Sequence, residues 1–314
     1  TWTGLYASYD QGQSWTRLAS DSGMVDPQAL LQTGEDLLLG TRTGIYRWDK
    51  VAGHWLSLAG QTPSGAQSLA RDELDGVTLY AGTSSDGLYQ SSDGGKQWQP
   101  LPTLLKGVPA VAVNPLDPNQ IYYLAAWERV YESRDGGITW QARWEGLGDV
   151  VETISLAIDA AGAVTYVGTE IGLYRSSAGQ PWELVAPELA DQSVLTLLAR
   201  PVVGFGAPGA ELLIGTTRGV FRSLDQGESL DRGDWGSGLE NISVTAILTN
   251  PKGRRHLVAG TAYNGVYESF DNGQSWLPTG PPELNSGVVE SLAWGPDGEI
   301  FVAATNGVWR TISE

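Results

Sequence analysis

The sequence predicts an all-β chain folded as a seven-bladed β-propeller of four-stranded antiparallel blades. Three observations carry that expectation. First, a Gly-apolar-aromatic anchor recurs as Gly4-Leu5-Tyr6, Gly44-Ile45-Tyr46, Gly87-Leu88-Tyr89, Gly172-Leu173-Tyr174, Gly219-Val220-Phe221, Gly265-Val266-Tyr267 and Gly307-Val308-Trp309, and Arg129-Val130-Tyr131 keeps all but the glycine. Its steps are 40, 43, 42, 43, 47, 46 and 42 residues, a period in the forties of the kind propeller blades give. Second, a polar turn follows most of the anchors. Third, a helical period of 3.6 is sustained nowhere, so almost no helix is expected.

The polar turn reads S-x-D-x-G-x-x-W. It stands as Ser91-Ser92-Asp93-Gly94-Gly95-Lys96-Gln97-Trp98, and again at 8–15 (Asp10, Trp15), 133–140 (Asp135, Trp140) and 269–276 (Asp271, Trp276). Three copies are worn. Ser223-Leu224-Asp225-Gln226-Gly227 has Leu230 in place of the Trp, 176–182 has lost the Asp and one residue, and 48–55 keeps Asp49 and Trp55 but not the Ser. Each copy joins two short apolar segments, as a hairpin turn does. The Ser and Asp side chains can take up backbone N–H groups of the turn. The Gly supplies positive φ, and the Trp closes an apolar face over it. Turn chemistry accounts for each residue type, so Asp10, Asp93, Asp135, Asp225 and Asp271, with Trp15, Trp98, Trp140 and Trp276, are expected to be structural.

The motif resembles the Asp-box, or BNR repeat, of sialidases, xyloglucanase-type glycoside hydrolases, sortilin-like receptors and a photosystem II assembly factor. The resemblance implies a propeller fold. In that class the Asp-boxes usually lie away from the active site, so they transfer no activity. Sialidases resemble one another in an Arg-Ile-Pro-like start, three carboxylate-clamping arginines, an Asp acid and a Tyr–Glu nucleophile pair. No Arg-Ile-Pro occurs here, and no flanking motif supports Arg42, Arg129 and Arg218 as the clamp. The xyloglucanase-type cleft lies between two propellers, and this chain has one propeller's worth of sequence.

One unit reads as four strands, A to D: in the third full copy, 110–114, 121–125, 130–133 and 139–143. The chain opens with C and D (5–18) and closes with A, B and C (288–312), with six complete blades between. Residues 1–314 are therefore expected to form a single domain. Strands 5–18 would complete the last blade and close the ring, removing its edge. That closure leaves one surplus C strand, either 5–8 or 308–311. Eight blades with incomplete ends is the alternative. Two irregular segments, 199–211 and 226–238, are expected on the face of the polar turns, the second replacing the normal turn exit.

Composition narrows the function. With 19 Lys+Arg against 36 Asp+Glu the net charge is −17, which argues against a nucleic-acid partner or docking on an anionic membrane. No cysteine is present, so disulfides, thiolate metal sites and Cys nucleophiles are excluded. His54 and His256, the two histidines, read as surface residues too far apart in repeat phase for a zinc site or a triad. No apolar run approaches the length of a membrane helix. Thr1 in place of Met, without a signal-like segment, gives the expectation of a processed product whose signal or anchor has been removed.

A site is expected on the face of the B–C and D–A loops. Two residues before each anchor stand Trp2, Arg42, Ser85, Trp127, Glu170, Thr217, Tyr263 and Thr305. Equivalent positions that differ so widely are candidates for function. Arg42, Trp127, Glu128, Glu170, Arg218 and Tyr263 form the candidate binding set, with Trp235 from the 226–238 loop. Asp149, Glu152, Glu188, Asp191, Glu240, Glu283 and Glu290 supply carboxylates nearby. Aromatics among carboxylates suit a protein hot spot or sugar stacking. The reading is a non-enzymatic, extracytoplasmic propeller that binds a protein partner or multisubunit assembly, with no cofactor, metal or catalytic residue assigned. The localisation follows family habit and an acidic, Trp-rich, Cys-free composition. A carbohydrate-active protein, either a glycoside hydrolase or a lectin-like glycan binder, is the alternative.

Overall fold

The second strand of a unit shows why the chain folds as it does. Leu37–Thr41, Leu79–Thr83, Val164–Thr169, Leu212–Thr216 and Leu257–Thr261 are apolar runs that end in Gly-Thr, and each is buried throughout. A strand buried on both faces must be covered on both. The computed structural model covers them with neighbouring sheets. It describes residues 5–8, 16–18, 26–34, 36–58, 62–125, 129–148, 152–201, 210–231 and 236–311, with backbone alone for 5–8, 16–18 and 210.

The sheets number seven and form a ring, each beginning with its innermost strand A. Strand A starts at Pro27, Ala66, Ala110, Thr153, Val194, Val244 and Val289 in blades 1 to 7. Blades 1, 2, 3, 4 and 6 have four antiparallel strands, in the order A to D from the axis outward. Blade 5 has three among the described residues, and the Asp231 N–H starts the fourth position by donating to Arg222 O at 2.7 Å. Two one-turn 3-10 helices, Pro187–Leu189 and Pro282–Ser286, lie in D–A loops.

Blade 7 shows where the surplus strand goes. Its strands Val289–Trp294, Ile300–Ala304 and Gly307–Thr311 are followed by Leu5–Ser8 and then Thr16–Leu18, making five. Leu5–Ser8 runs parallel to Gly307–Thr311, with Tyr6 opposite Trp309. Both strands are C-type and run in the same sense, so they pair in parallel.

The described core falls into clusters at the junctions between blades. Trp98 of blade 2 packs on Leu38 and Ile45 of blade 1, and Trp182 of blade 4 on Leu124 and Val130 of blade 3. Trp276 of blade 6 packs on Leu213 and Val220 of blade 5. At the junction of blades 4 and 5 Leu230 takes the Trp's place, against Val164 and Leu173. Blades 7 and 1 meet through Trp48, Trp55 and Phe301, with ring centroids 5.2–5.9 Å apart edge to face.

The polar turns are closed on themselves. Ser91 Oγ donates to Asp93 Oδ1 and accepts from the Gly95 N–H, each at 2.8 Å. Asp93 Oδ1 takes the N–H groups of Lys96 (3.0 Å) and Gln97 (2.9 Å), and Trp98 Nε1 donates to Gly95 O at 3.0 Å. Ser133/Asp135/Trp140 and Ser269/Asp271/Trp276 repeat this arrangement. Asp10 and Trp15 lie outside the described residues.

Three sequence expectations need correction. The exit of the turn at Asp225 is normal: Gly227 N–H donates to Ser223 Oγ at 2.8 Å and Ser229 N–H to Asp225 Oδ1 at 3.0 Å. The 199–211 segment is shorter than expected, because Val194–Pro201 and Ala210–Thr216 extend into it with Arg200 paired to Glu211. An ion pair joins these two buried side chains, Arg200 Nε to Glu211 Oε2 at 3.0 Å, inside what reads as a loop. His256 is not a simple surface residue: Nε2 is 2.7 Å from Glu268 Oε2 and the ring stacks on Phe270.

Hydrogen bonding holds the turn carboxylates below their ordinary range. The Thr139 hydroxyl is the largest influence on Asp135 and, with its backbone N–H, takes it to about 2. The Gln97 N–H leads for Asp93. For Asp225 and Asp271 partial desolvation is the largest influence and pushes upward, but donors on Ser229 and Ser275 outweigh it. A pKa lower in the folded than in the unfolded state stabilises the fold above the unfolded value, about 4, and this is lost as pH falls through the folded value. Urea midpoints should therefore drop between about pH 4 and about pH 2. A variant carrying Asp→Asn at 93, 135, 225 and 271 should show a flatter profile over that window, and an unchanged slope would refute the linkage.

A second expectation concerns the blade junctions. A Cβ built on Gly168 would lie 2.6 Å from Val194 O and 2.2 Å from Ser155 Oγ. Gly168→Ala should lower unfolding free energy by about 1–3 kcal/mol in equilibrium denaturation, and no loss would mean that the blades have room to separate.

Candidate functional site

The face of the B–C turns is built from strand B upward. In five blades the Thr of Gly-Thr turns its hydroxyl onto the carbonyl that starts strand C: Thr41 to Gly44 O (2.8 Å), Thr83 to Gly87 O (2.8 Å), Thr169 to Gly172 O (2.9 Å), Thr216 to Gly219 O (3.1 Å) and Thr261 to Gly265 O (2.7 Å). A belt of backbone bonds then ties the B–C turns to the D–A loops. Gly65 N–H donates to Arg42 O (2.9 Å), Glu170 N–H to Glu152 O (3.2 Å), Asn241 N–H to Arg218 O (3.0 Å) and Tyr263 N–H to Gly287 O (3.0 Å). These turns have little freedom left, so side chains on them are presented in fixed positions.

Four of the candidate binding residues lie on this face, on the turns of blades 1, 4, 5 and 6: Arg42, Glu170, Arg218 and Tyr263. All are exposed. They ring the mouth of the axis rather than forming one cluster, and no hydrogen bond or ion pair joins any two of them among the described residues. Trp127, Glu128 and Trp235 lie outside the described residues, as does Asp149.

Tyr263 is unusual among them. It is 65% exposed and its backbone is left-handed, with φ 66°. A side chain with a Cβ pays steric strain there, which the surrounding bonds must hold in place. The Thr261 hydroxyl, the Asn264 N–H donating to it at 3.2 Å and the bond to Gly287 O together fix the turn. An exposed aromatic ring held in a strained position is poorly explained by packing.

The sequence placed Glu290 in a D–A loop. It sits instead on strand A, at a bulge between Val289 and Ser291. Gln28, Gln67, Ile154, Leu195 and Thr245 occupy the same bulge in other blades, and a bulge re-aims the side chain it carries. Solvent reaches Glu290, yet the surrounding protein desolvates it enough to raise its pKa, with the charge of Asp26 adding to the shift. Asp26, in turn, is 3.7 Å from Arg42 Nε. Asp26 was missed in the sequence, where nothing marks it. The bulge could have been found by aligning the strand A starts.

The opposite face carries a second polar pocket at the blade 3 turn, lined by Glu132, Arg134, Asp135, Thr139 and Gln141. Its carboxylates are already used. Glu132, buried, accepts from Gln120 Nε2 (2.7 Å), Tyr122 (3.0 Å) and Arg134 Nε (2.8 Å). Burial first, then Glu132, pushes the Tyr122 phenol up to about 12, so the phenol stays protonated near neutrality. No cluster of three or more metal-ligating side chains occurs among the described residues.

The family model for the BNR/Asp-box repeat matches residues 131–142, which include the Ser133–Trp140 turn. The chain carries BNR/Asp-box repeats on a seven-bladed propeller. No curated protein matches this chain in sequence. Among solved structures, the Asp-box propeller is similar to a GH74 enzyme from Niastella koreensis, with TM-score 0.70 and 16% identity over 92% of this chain and 54% of that one. It is similar to the extracellular domain of BT4673, a putative hybrid two-component system of B. thetaiotaomicron, with TM-score 0.70 and 16% identity over 93% of this chain and 38% of that one. It is also similar to YCF48 bound to D1 peptide, with TM-score 0.63 and 14% identity over 91% of this chain and 93% of that one. At these identities the likeness is one of fold. The chain spans about half the length of the GH74 enzyme, which it matches over 54%. Among the described residues no helix is long and apolar enough to cross a membrane.

The left-handed backbone of Tyr263 yields a test. Glycine adopts that conformation without strain, and an exposed ring contributes little to stability. Tyr263→Gly should leave unfolding free energy unchanged or raise it by about 1 kcal/mol. A loss of about 1 kcal/mol or more in urea titrations would show instead that the ring packs.

Proposed function

We propose that this Asp-box propeller is a non-enzymatic docking platform, placed outside the cytoplasm, that holds a protein partner or assembly across the face of its B–C turns and D–A loops. The observation that carries this reading is Tyr263, an exposed ring kept in strained backbone on a turn tied down at several points. Tyrosines presented rigidly are the common anchors of protein interfaces, since little side-chain entropy is lost when they bind. Arg42, Arg218 and Glu170 around the same mouth would set register and partner choice by charge. Trp127, Glu128 and Trp235 belong to the proposal on sequence grounds alone. YCF48, found with D1 peptide, gives the reading a precedent of matching size, 91% of one chain against 93% of the other. The extracellular domain of BT4673 supports the location.

A carbohydrate-active protein is the second reading, and one observation favours it. Glu290, re-aimed by the strand A bulge, has a pKa raised by desolvation and then by the charge of Asp26. Two carboxyl groups with different environments are what a glycosidase needs for an acid and a base or nucleophile. The GH74 likeness points the same way, but covers half of that chain.

Both readings are tested with the full chain as bait in its native source, beside the Tyr263→Gly variant, and with a glycan array in parallel. A stoichiometric partner captured by the wild type and lost from Tyr263→Gly is the expected result. Capture that ignores Tyr263 would overturn the docking face. Glycan binding or release of reducing sugar, abolished by Glu290→Gln, would put the second reading first.

A further inference from the structure

The A–B turn of blade 6 sets three cations side by side on the Asp-box face, in a chain of net charge −17. Lys252, Arg254 and Arg255 are all exposed. The turn under them is held from three directions. Asn250 Oδ1 accepts the Lys252 N–H at 2.8 Å, Arg254 O accepts Arg200 Nη1 at 2.8 Å, and Arg255 O accepts the Asn272 N–H at 3.0 Å. None of the three side chains makes an ion pair among the described residues. Other arginines of this face are paired: Arg71 with Glu73, Arg134 with Glu132, Arg175 with Glu183 and Glu228, and Arg222 with Glu211 and Asp231. Where carboxylates outnumber cations almost two to one, three neighbouring cations without one are an open site for negative charge.

An apolar anchor stands beside them. Phe270, from the Asp-box of the same blade, is 66% exposed. Its ring lies on His256 with centroids 4.5 Å apart and planes 21° apart. His256 is itself fixed, edge-on to Trp294 at 5.2 Å and 2.7 Å from Glu268 Oε2. Leu277 lies directly across the sheet from Glu268, also 66% exposed. Phe270 follows the strand Val266–Ser269 in the turn, and His256 links it to Glu268, so Phe270 and Leu277 stand on either side of the His256–Glu268 pair. Phe270 and the cationic turn meet at Asn272, two residues after Phe270, whose N–H donates to Arg255 O.

We propose that this surface binds an acidic segment of a partner protein. Carboxylates of the segment would meet Lys252, Arg254 and Arg255, and an apolar or aromatic side chain would lie on Phe270 and Leu277. A short segment fits better than an extended anionic surface. The cationic turn is local, and a membrane or a long polyanion would also face the acidic remainder of the disc. The site is on the face opposite Tyr263, so it stands or falls separately from the docking face proposed above.

The probe is a fluorescein-labelled hexapeptide of four glutamates, one tryptophan and one leucine, titrated with the full chain at physiological salt, where the Debye length is about 8 Å and long-range repulsion is screened. Anisotropy should report saturable binding that the glutamine counterpart of the peptide lacks. Joint reversal, Lys252→Glu with Arg254→Glu and Arg255→Glu, should weaken binding at least about tenfold, and Phe270→Ala several-fold. Tyr263→Gly should leave it unchanged. A milder triple change to glutamine covers the case in which charge reversal impairs folding, with far-ultraviolet circular dichroism checking each variant. Equal binding of the glutamine peptide, or no effect of either triple variant, overturns the proposal. So does tighter binding to phosphatidylglycerol vesicles or polygalacturonate, which would assign the patch to a lipid surface or an acidic glycan.

Discussion

The ring depends on one close approach, the backbone of strand B against the start of strand A in the next blade. A Cβ on Gly40 would lie 2.7 Å from Ala66 O, on Gly82 2.5 Å from Val108 O, and on Gly215 2.8 Å from Val244 O. Such spacing excludes any side chain, and it sets how far the blades can close around the axis. The residue after the glycine is a threonine whose hydroxyl caps the B–C turn. Adjacent residues thus decide the packing of the wheel and the shape of its upper turns. Blades 3 and 7 depart from this, with Leu124-Ala125 and Ala303-Ala304 at the equivalent positions. In blade 7 Thr305, one residue on, makes a different bond: its Oγ1 accepts the Val288 N–H at 2.9 Å and ties the turn to strand A. Rigidity at the presenting face follows directly from the way the blades pack.

The two faces of the disc use polar residues in different ways. On the Asp-box face nearly every carboxylate has internal work. Asp93, Asp135, Asp225 and Asp271 hold turns, and Glu132 and Glu211 bind arginines across strands. Burying Arg200 and Glu211 together is costly unless their remaining donors and acceptors are met. They are met by Thr249, Arg254 O and Asn272, all in blade 6. Blade 5 is therefore clamped to blade 6 by charge as well as by Leu213, Val220 and Trp276. On the opposite face the side chains on the turns are free to differ, because backbone bonds and threonine caps hold the structure without them.

Repetition made the fold legible. Each blade states the same strand–turn–strand pattern, so one worn copy does little harm: Leu230 fills the place of a Trp and Asp225 still closes its turn. Ring closure was legible only as a count, since the parallel pairing of Leu5–Ser8 with Gly307–Thr311 depends on two distant segments meeting in one sheet. The candidate site was legible in position but not in detail. Arg42, Glu170, Arg218 and Tyr263 could be placed on one face from the blade phase. The positive φ of Tyr263 could not, because no residue type in Ala-Tyr-Asn-Gly demands it. Asp26 acts on Glu290 from the first blade to the last, and Arg200 and Glu211 hid in a Gly- and Pro-rich stretch that masked two strand ends. Pairing across the ring is information that local pattern does not contain.

Blade 6 then has a particular place in the molecule. Tyr263 and Phe270 stand on the turns at the two ends of one short strand, Val266–Ser269. That strand is buried between Ala246, Val258 and Val289, with Thr261 capping one end and Ser269 Oγ accepting the Gly273 N–H at the other. On the two proposals above, partners on opposite faces would be held at a fixed separation and angle by a spacer that cannot flex without opening a blade junction. A hydrolase has no use for such a spacer, since its chemistry happens within one cleft. A scaffold does, because fixed geometry between two ligands is the whole of what it supplies.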